Sequence, residues 1–83
     1  MAKENDTVRT RVPVYARILG RTIPAGSQGV IVDVSRDREG NEGYAVDFTF
    51  PSTGSATGFD YDNVLLTADQ FEVIPGPPSP VSE

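Results

Sequence analysis

The residues best suited to binding chemistry are four arginines near the start of the chain. Arg9 and Arg11 are two positions apart in an alternating stretch, and Arg17 and Arg21 follow soon after. Residues two apart on a strand project from the same face, so Arg9 and Arg11 are expected to lie side by side. A guanidinium group can bind a carboxylate through two parallel hydrogen bonds. We therefore predict that all four form one cationic patch for an acidic surface on a protein partner.

The same arginines have a second possible use, which is internal pairing. Asp33, Asp47 and Glu72 lie in other predicted strands and could neutralise them. Exposed ion pairs of this kind contribute little to stability. The residue pattern alone leaves docking and internal pairing both open.

Two residue types that are common in active sites are missing. The chain has no cysteine and no histidine, which excludes a thiol nucleophile, disulfides, the commonest general base and the usual structural zinc sites. Asp60, Asp62 and Asn63 suggest calcium, but an EF-hand loop would need glycine and glutamate where this chain has Leu65 and Phe71. We expect no catalytic residue, no metal site and no cofactor, and hence no enzymatic activity.

The charge balance bears on the class of partner. Seven basic and twelve acidic residues give a formal net charge of −5, and no basic residue follows Arg38. A nucleic-acid ligand is therefore not expected. The sequence also has no apolar stretch long enough for a signal peptide or a membrane span. We expect a cytoplasmic protein with no membrane partner, and the sequence does not indicate its oligomeric state.

Period-two alternation predicts an all-β fold. The clearest element is a hairpin over residues 26–50, with Val30, Val32 and Val34 sharing one face of its first arm. An irregular excursion is predicted over residues 16–28, with a turn at 24–26. Other strands are predicted at residues 7–15, 59–66 and 71–74, and Thr67 to Gln70 resembles a capping box around one 3₁₀ turn.

These elements predict one folded unit over residues 7–74. Residues 1–6 and the proline-rich residues 75–83 have little apolar surface to bury and are predicted to be disordered. The inward-facing strand positions predict the core. It should contain Val12, Val14, Ile31 or Val32, Val46, Phe48, Leu66 and Phe71.

The order of elements resembles that of a five-stranded SH3-like small barrel, with one 3₁₀ turn before the last strand. The residues that carry this resemblance are Val8-Arg9, Pro13, Gly26-x-x-Gly29-x-Ile31, Tyr44-x-Val46-x-Phe48 and Asn63-x-x-Leu66-x-x-Asp69-x-x-Glu72-Val73-Ile74. They are similar to those of the electron-transport accessory superfamily, which includes a small accessory protein of photosystem I, the variable chain of ferredoxin–thioredoxin reductase and the barrel of the nitrile hydratase β-chain. A group of small uncharacterised bacterial SH3-like proteins has the same layout.

The resemblance implies a non-catalytic protein-binding or accessory module, because these barrels brace or dock larger partners. A subunit of a larger bacterial complex and a small antitoxin or immunity-type protein are both compatible with it. The Gly26-x-x-Gly29-x-Ile31 element is also similar to that of KOW-type barrels, which implies a nucleic-acid- or ribosome-associated protein as the alternative.

Overall fold

The fold of the chain is built from short antiparallel strands, as the computed structural model shows for residues 2–51, 54 and 56–75. The described residues form, in chain order, β1 (Thr7–Thr10), β2 (Val14–Ala16), β3 (Arg21–Ile23), β4 (Gln28–Arg36), β5 (Glu42–Pro51), β6 (Phe59–Leu66), the 3₁₀ helix η1 (Ala68–Gln70) and β7 (Phe71–Val73). The all-β class and the 3₁₀ turn before the last strand are thus confirmed. None of the described residues belongs to a helix that could cross a membrane.

The strands belong to two sheets. Five of them form one sheet in the order β6-β5-β4-β1-β7, while β2 and β3 pair with each other. The ladders formed by the described residues do not close into a continuous cylinder, because β6 and β7 are the two edges of the larger sheet. Seven strands rather than the predicted five result from two local differences near the start of the chain.

The first difference is an interruption in the strand predicted over residues 7–15. β1 ends at Thr10, and β2 begins at Val14 in the other sheet. Pro13 lies between them, and since proline has no backbone N–H it cannot continue a hydrogen-bonded ladder. Val12 falls in this crossing and is 39% exposed, so its predicted place in the core is wrong.

The second difference is a strand inside the excursion predicted over residues 16–28. β3 pairs antiparallel with β2, and Ile23 lies opposite Val14. Both side chains are buried, and this contact with the core stabilises a strand that has no clear alternation in sequence. The turn predicted after it is present, with Gly26 at a φ of 92°.

The central hairpin forms as predicted, except for the face that β4 buries. Ile31 is buried, whereas Val30 and Val32 are exposed. The register shifts between Ile31 and Asp33, so Val32 is an extra residue with no partner on β5. Such a bulge reverses the alternation beyond it, and Val34 consequently packs against the core. The prediction that the three valines share one face is wrong for this reason.

The core lies between the inner face of the five-stranded sheet and the β2–β3 pair. Its buried hydrophobic residues are Val8, Val14, Ala16, Ile23, Ile31, Tyr44, Val46, Phe48, Leu66 and Phe71. The rings of Tyr44 and Phe71 meet edge to face with centroids 5.1 Å apart. Every predicted core position other than Val12 is confirmed, with Ile31 taking the place shared with Val32.

The segment before β1 lies alongside β4 in the structure, although the sequence predicts disorder for residues 1–6. The Asn5 N–H donates to the Ile31 carbonyl (2.8 Å), and the Ile31 N–H donates to the Asp6 carbonyl (2.9 Å). Because β1 starts only at Thr7, these backbone groups extend its pairing with β4. Ala2 also packs against the core. The other predicted disordered segment lies mostly outside the described residues, which end at Pro75.

Candidate partner-binding surface

Arg9, the first of the predicted patch residues, is used in an ion pair. It lies opposite Glu72 in the β1–β7 ladder, and its Nη2 and Nε donate to Glu72 Oε2 at 2.8 and 3.0 Å. The hydrogen bond from Arg9, followed by the charges of Arg9 and then of Arg11, lowers the pKa of Glu72. For Arg9 the alternative of internal pairing is therefore the one that the structure contains.

Arg11 also interacts with β7. Its Nε donates to the Phe71 carbonyl at 3.2 Å. It lines a groove of about 470 Å³ together with Tyr44 and Glu72. The two acids that line this groove are paired within the protein: Glu42 accepts hydrogen bonds from Tyr44 and Arg36, and Glu72 pairs with Arg9. Arg11 forms no ion pair with the described residues, but its Nε is already bonded to β7.

Arg21 lies on a different element from Arg9 and Arg11. It is the first residue of β3, and its guanidinium carbon is 5.4 Å from the centroid of the Phe50 ring, within the range of a cation–π contact. Phe50 in turn stacks on buried Phe48. Arg21 thus contacts β5, whereas Arg9 and Arg11 contact β7, so the contacts divide the four predicted patch residues between different elements.

Arg17 differs from the other three arginines. It makes no ion pair or hydrogen bond with any of the residues that the structure describes. It lines two adjoining grooves of about 420 and 370 Å³, which also share Asn63. Among the four predicted site residues, Arg17 is therefore the one whose guanidinium group has no partner in the described part of the chain and can meet an external carboxylate.

Apolar side chains surround Arg17. The three most exposed large hydrophobic residues that the structure describes are Ile18 (76%), Leu65 (67%) and Tyr15 (58%), and all three line these two grooves. We call the surface formed by Tyr15, Arg17, Ile18, Asn63 and Leu65 the Arg17 surface. The residue pattern does not by itself predict its apolar members.

Strand β6 orients one side of the Arg17 surface. Its residues alternate, so that Tyr61, Asn63 and Leu65 face outward while Asp62 and Leu66 are buried. Asn63 is held by a hydrogen bond from its Nδ2 to Asp47 Oδ1 (2.6 Å) on β5. Tyr61 is exposed on this face and extends the apolar surface along the strand. The alternation of residues 59–66 is the signal that could have predicted these outward positions.

The opposite side of the surface is the turn of residues 17–20 between β2 and β3. Gly20, at a φ of 71°, closes the turn by donating its N–H to the Ala16 carbonyl (2.8 Å). The amides of Ile18 and Leu19 donate to Asp62 Oδ2 at 2.8 and 3.1 Å. Asp62 is thus a buried structural acceptor that joins this turn to β6.

Within residues 2–51, 54 and 56–75 there is no group of three or more acidic side chains placed to hold a metal ion. What the Arg17 surface can do chemically is bind, because it presents a guanidinium group beside apolar side chains. Its donors and apolar walls fit a carboxylate next to an apolar side chain.

Comparison with known proteins gives no relative from which a role could be transferred. No family model matches the chain, and neither a curated protein nor a solved structure is significantly similar to it.

Proposed function

We propose that this protein is a non-catalytic protein-binding module, and that an acidic partner protein docks on the Arg17 surface. One observation carries the proposal. The predicted patch arginine that lacks an internal partner among the described residues lies next to the three most exposed large apolar side chains of that part of the chain. Protein interfaces are enriched in arginine and aromatic residues around an apolar centre.

The charge of the chain favours a protein over a nucleic acid as the partner. Affinity for nucleic acid depends on several cations that replace counterions along the phosphate backbone. Here the net charge is −5, and Arg9, Arg11 and Arg21 already contact groups of the protein itself. An arginine such as Arg17, beside apolar groups, suits one partner carboxylate and an apolar neighbour.

The cellular setting forms part of this proposal. The resemblance to SH3-like accessory barrels supports a cytoplasmic subunit of a larger bacterial complex, and a small antitoxin or immunity-type protein has the same requirement for a protein partner. Neither role needs catalysis. In both, the Arg17 surface is covered in the complex.

The proposal is tested by affinity capture from source-cell lysate with matched variants. Arg17→Glu reverses the charge at the centre of the surface, and Arg38→Glu is the control. Arg38 is exposed in the β4–β5 turn and forms no ion pair with the described residues. Arg38→Glu therefore changes the net charge by the same amount as Arg17→Glu without altering the Arg17 surface. Captured proteins are identified by mass spectrometry at low and moderate salt, and nucleic acid is stained in parallel.

We expect wild type and Arg38→Glu to retain the same partner, and Arg17→Glu to lose it while keeping its melting temperature. A partner retained equally by Arg17→Glu would refute the proposed surface. Recovery of nucleic acid that falls with salt would favour the KOW-type alternative.

A further inference from the structure

We infer that Asp62 is the positioning residue of the Arg17 surface: its buried carboxylate holds the 17–20 turn in the conformation that presents Arg17 and Ile18. This inference rests on the proposed function for its binding consequence. Its structural part concerns the free protein alone.

The geometry of Asp62 is that of an internal clamp. One carboxylate oxygen, Oδ2, accepts both the Ile18 N–H at 2.8 Å and the Leu19 N–H at 3.1 Å. The donors precede Asp62 by 44 and 43 residues, so the bonds join the β2–β3 pair to the edge strand of the larger sheet. Asp62 itself is only 3% exposed.

The choice of residue is informative because this position faces the core. The next inward positions of β6 are the hydrophobic residues Val64 and Leu66, which pack in or against the core. A buried carboxylate is costly unless hydrogen bonds compensate for lost water. The two backbone amides supply that compensation. Such hydrogen bonds to an ionised acceptor are among the stronger ones in proteins.

Without Asp62 the turn would keep fewer constraints. Its end is closed by the Gly20 N–H bond to Ala16, and Leu19 packs partly against the core. The Ile18 and Leu19 amides have no second acceptor among the described residues. The turn should therefore stay attached but lose its defined shape at Arg17 and Ile18.

A defined turn matters for binding because ordering a mobile segment on association reduces affinity. With the backbone of residues 17–19 already in place, Arg17 loses only side-chain freedom when it meets a carboxylate. Asp62 also lines the smaller of the two grooves, but only 3% of its surface is exposed. It therefore acts chiefly by positioning Arg17 and Ile18, which are the residues that meet the partner.

The test begins with the free protein and amide hydrogen exchange measured by NMR. The variants are Asp62→Ala, which removes both acceptor oxygens, and Asp62→Asn, which keeps one. In wild type the Ile18 and Leu19 amides should be protected. Asp62→Ala should lower their protection by at least about tenfold, the size expected for a lost bond to a charged acceptor. The Gly20 amide, bonded to Ala16, is the internal reference and should change less.

The binding consequence is measured with the same lysate capture that tests Arg17→Glu. Asp62→Ala should retain much less partner than wild type, and Asp62→Asn should recover both amide protection and capture in part. Asp62→Leu is the control for core filling: it occupies this inward position with a hydrophobic side chain, as Leu66 does further along β6, but it has no acceptor and should leave the Ile18 and Leu19 amides unprotected. If Asp62→Ala does not fold, wild type and Asp62→Asn still decide the structural part.

The possible failures are distinct. Unprotected Ile18 and Leu19 amides in wild type would overturn the clamp and leave the proposed function standing. Protected amides together with full capture by Asp62→Ala would overturn the positioning role. If Arg17→Glu keeps the partner, the proposed function fails and the clamp remains.

Discussion

Arg9 and Glu72 face each other across the β1–β7 ladder, with Arg9 Nη2 2.8 Å from Glu72 Oε2. Both side chains are nearly half exposed, so water screens the pair and its effect on stability is small. Arg9→Glu should nevertheless lower the melting temperature by a few degrees, because it places two carboxylates opposite one another. Thermal unfolding followed by circular dichroism measures this. Arg38→Glu, with the same change of net charge, should have less effect.

The exchanged pair Arg9→Glu with Glu72→Arg provides the decisive comparison for that prediction. It should recover most of the loss, because the attraction is restored with its direction reversed. If it melts as low as Arg9→Glu alone, the contact does not contribute in the way we describe.

The Arg36–Glu42–Tyr44 contacts make stability depend on pH. The hydrogen bond from Tyr44, followed by that from Arg36, lowers the pKa of Glu42 below its ordinary value of 4.5. A carboxyl whose pKa is lower in the folded state stabilises the fold above that ordinary value, and the contribution disappears as pH falls through the folded pKa. The bond to Glu42 also raises the pKa of Tyr44 above 10.0. Its contribution is present below pH 10 and disappears as pH rises through the raised value.

The contribution of these contacts to stability should therefore be highest between about pH 4.5 and pH 10. Glu42→Gln should reduce the loss of stability that wild type shows as the pH falls below this range. Denaturant unfolding from pH 3 to 7, in wild type and Glu42→Gln, measures the slope. If Glu42→Gln loses stability with falling pH as steeply as wild type, the pH dependence comes from other carboxylates. Asp37 is one candidate, because a hydrogen bond from the Asn41 backbone amide is the main cause of its lowered pKa.

Phe48 is the largest of the fully buried side chains that the structure describes. Phe48→Ala should cost about 3–5 kcal/mol of unfolding free energy, because it removes buried apolar surface and leaves a cavity. For a domain of this size that approaches the whole stability. Phe59→Ala is the matched control: Phe59 is 45% exposed on β6, and its loss should cost well under half as much. Equal costs in denaturant unfolding would contradict the assigned core.

Gly29 is required by the close approach of β5. A Cβ atom at this position would lie 2.7 Å from the Asp47 carbonyl oxygen and 2.7 Å from Val46 Cγ1. The backbone oxygen cannot move without breaking the sheet, so Gly29→Ala should destabilise the fold by about 1–3 kcal/mol. Gly43→Ala is the control, since its nearest neighbour is the end of the Leu65 side chain at 3.2 Å. Denaturant unfolding should show the larger loss at Gly29.

The segment before β1 contributes to stability through the backbone contacts of Asn5 and Asp6 with Ile31. Deleting residues 2–6 removes two backbone hydrogen bonds at about 1 kcal/mol each. For a domain of this size that corresponds to a melting temperature lower by roughly 8–16 °C. Deleting residues 76–83, which sequence analysis predicts to be a solvated tail, is expected to have no effect. An N-terminal deletion that melts like wild type would show that residues 2–6 do not hold the sheet.

Local alternation was sufficient to predict much of the fold. The burial of Tyr44, Val46 and Phe48 and the bounds of β6 follow from a period of two, which each strand carries in its own residues. The 3₁₀ turn was predicted from the spacing of Thr67 and Gln70. In the structure the Gln70 side chain accepts a hydrogen bond from the Thr67 N–H at 2.9 Å. Such features depend on residues only a few positions apart in the chain, so they can be predicted from the local sequence.

The binding surface was only partly predictable. The residue types of Arg9, Arg11, Arg17 and Arg21 are equivalent in sequence, yet the fold places a carboxylate, a carbonyl and an aromatic ring beside three of them. The bulge at Val32 and the bonds from Ile18 and Leu19 to Asp62 depend on strands that pair only in the folded chain. The sequence alone determined which residues could bind a carboxylate. Tertiary structure decided which of them are already engaged, because Arg9, Arg11 and Arg21 meet partners that lie far away along the chain.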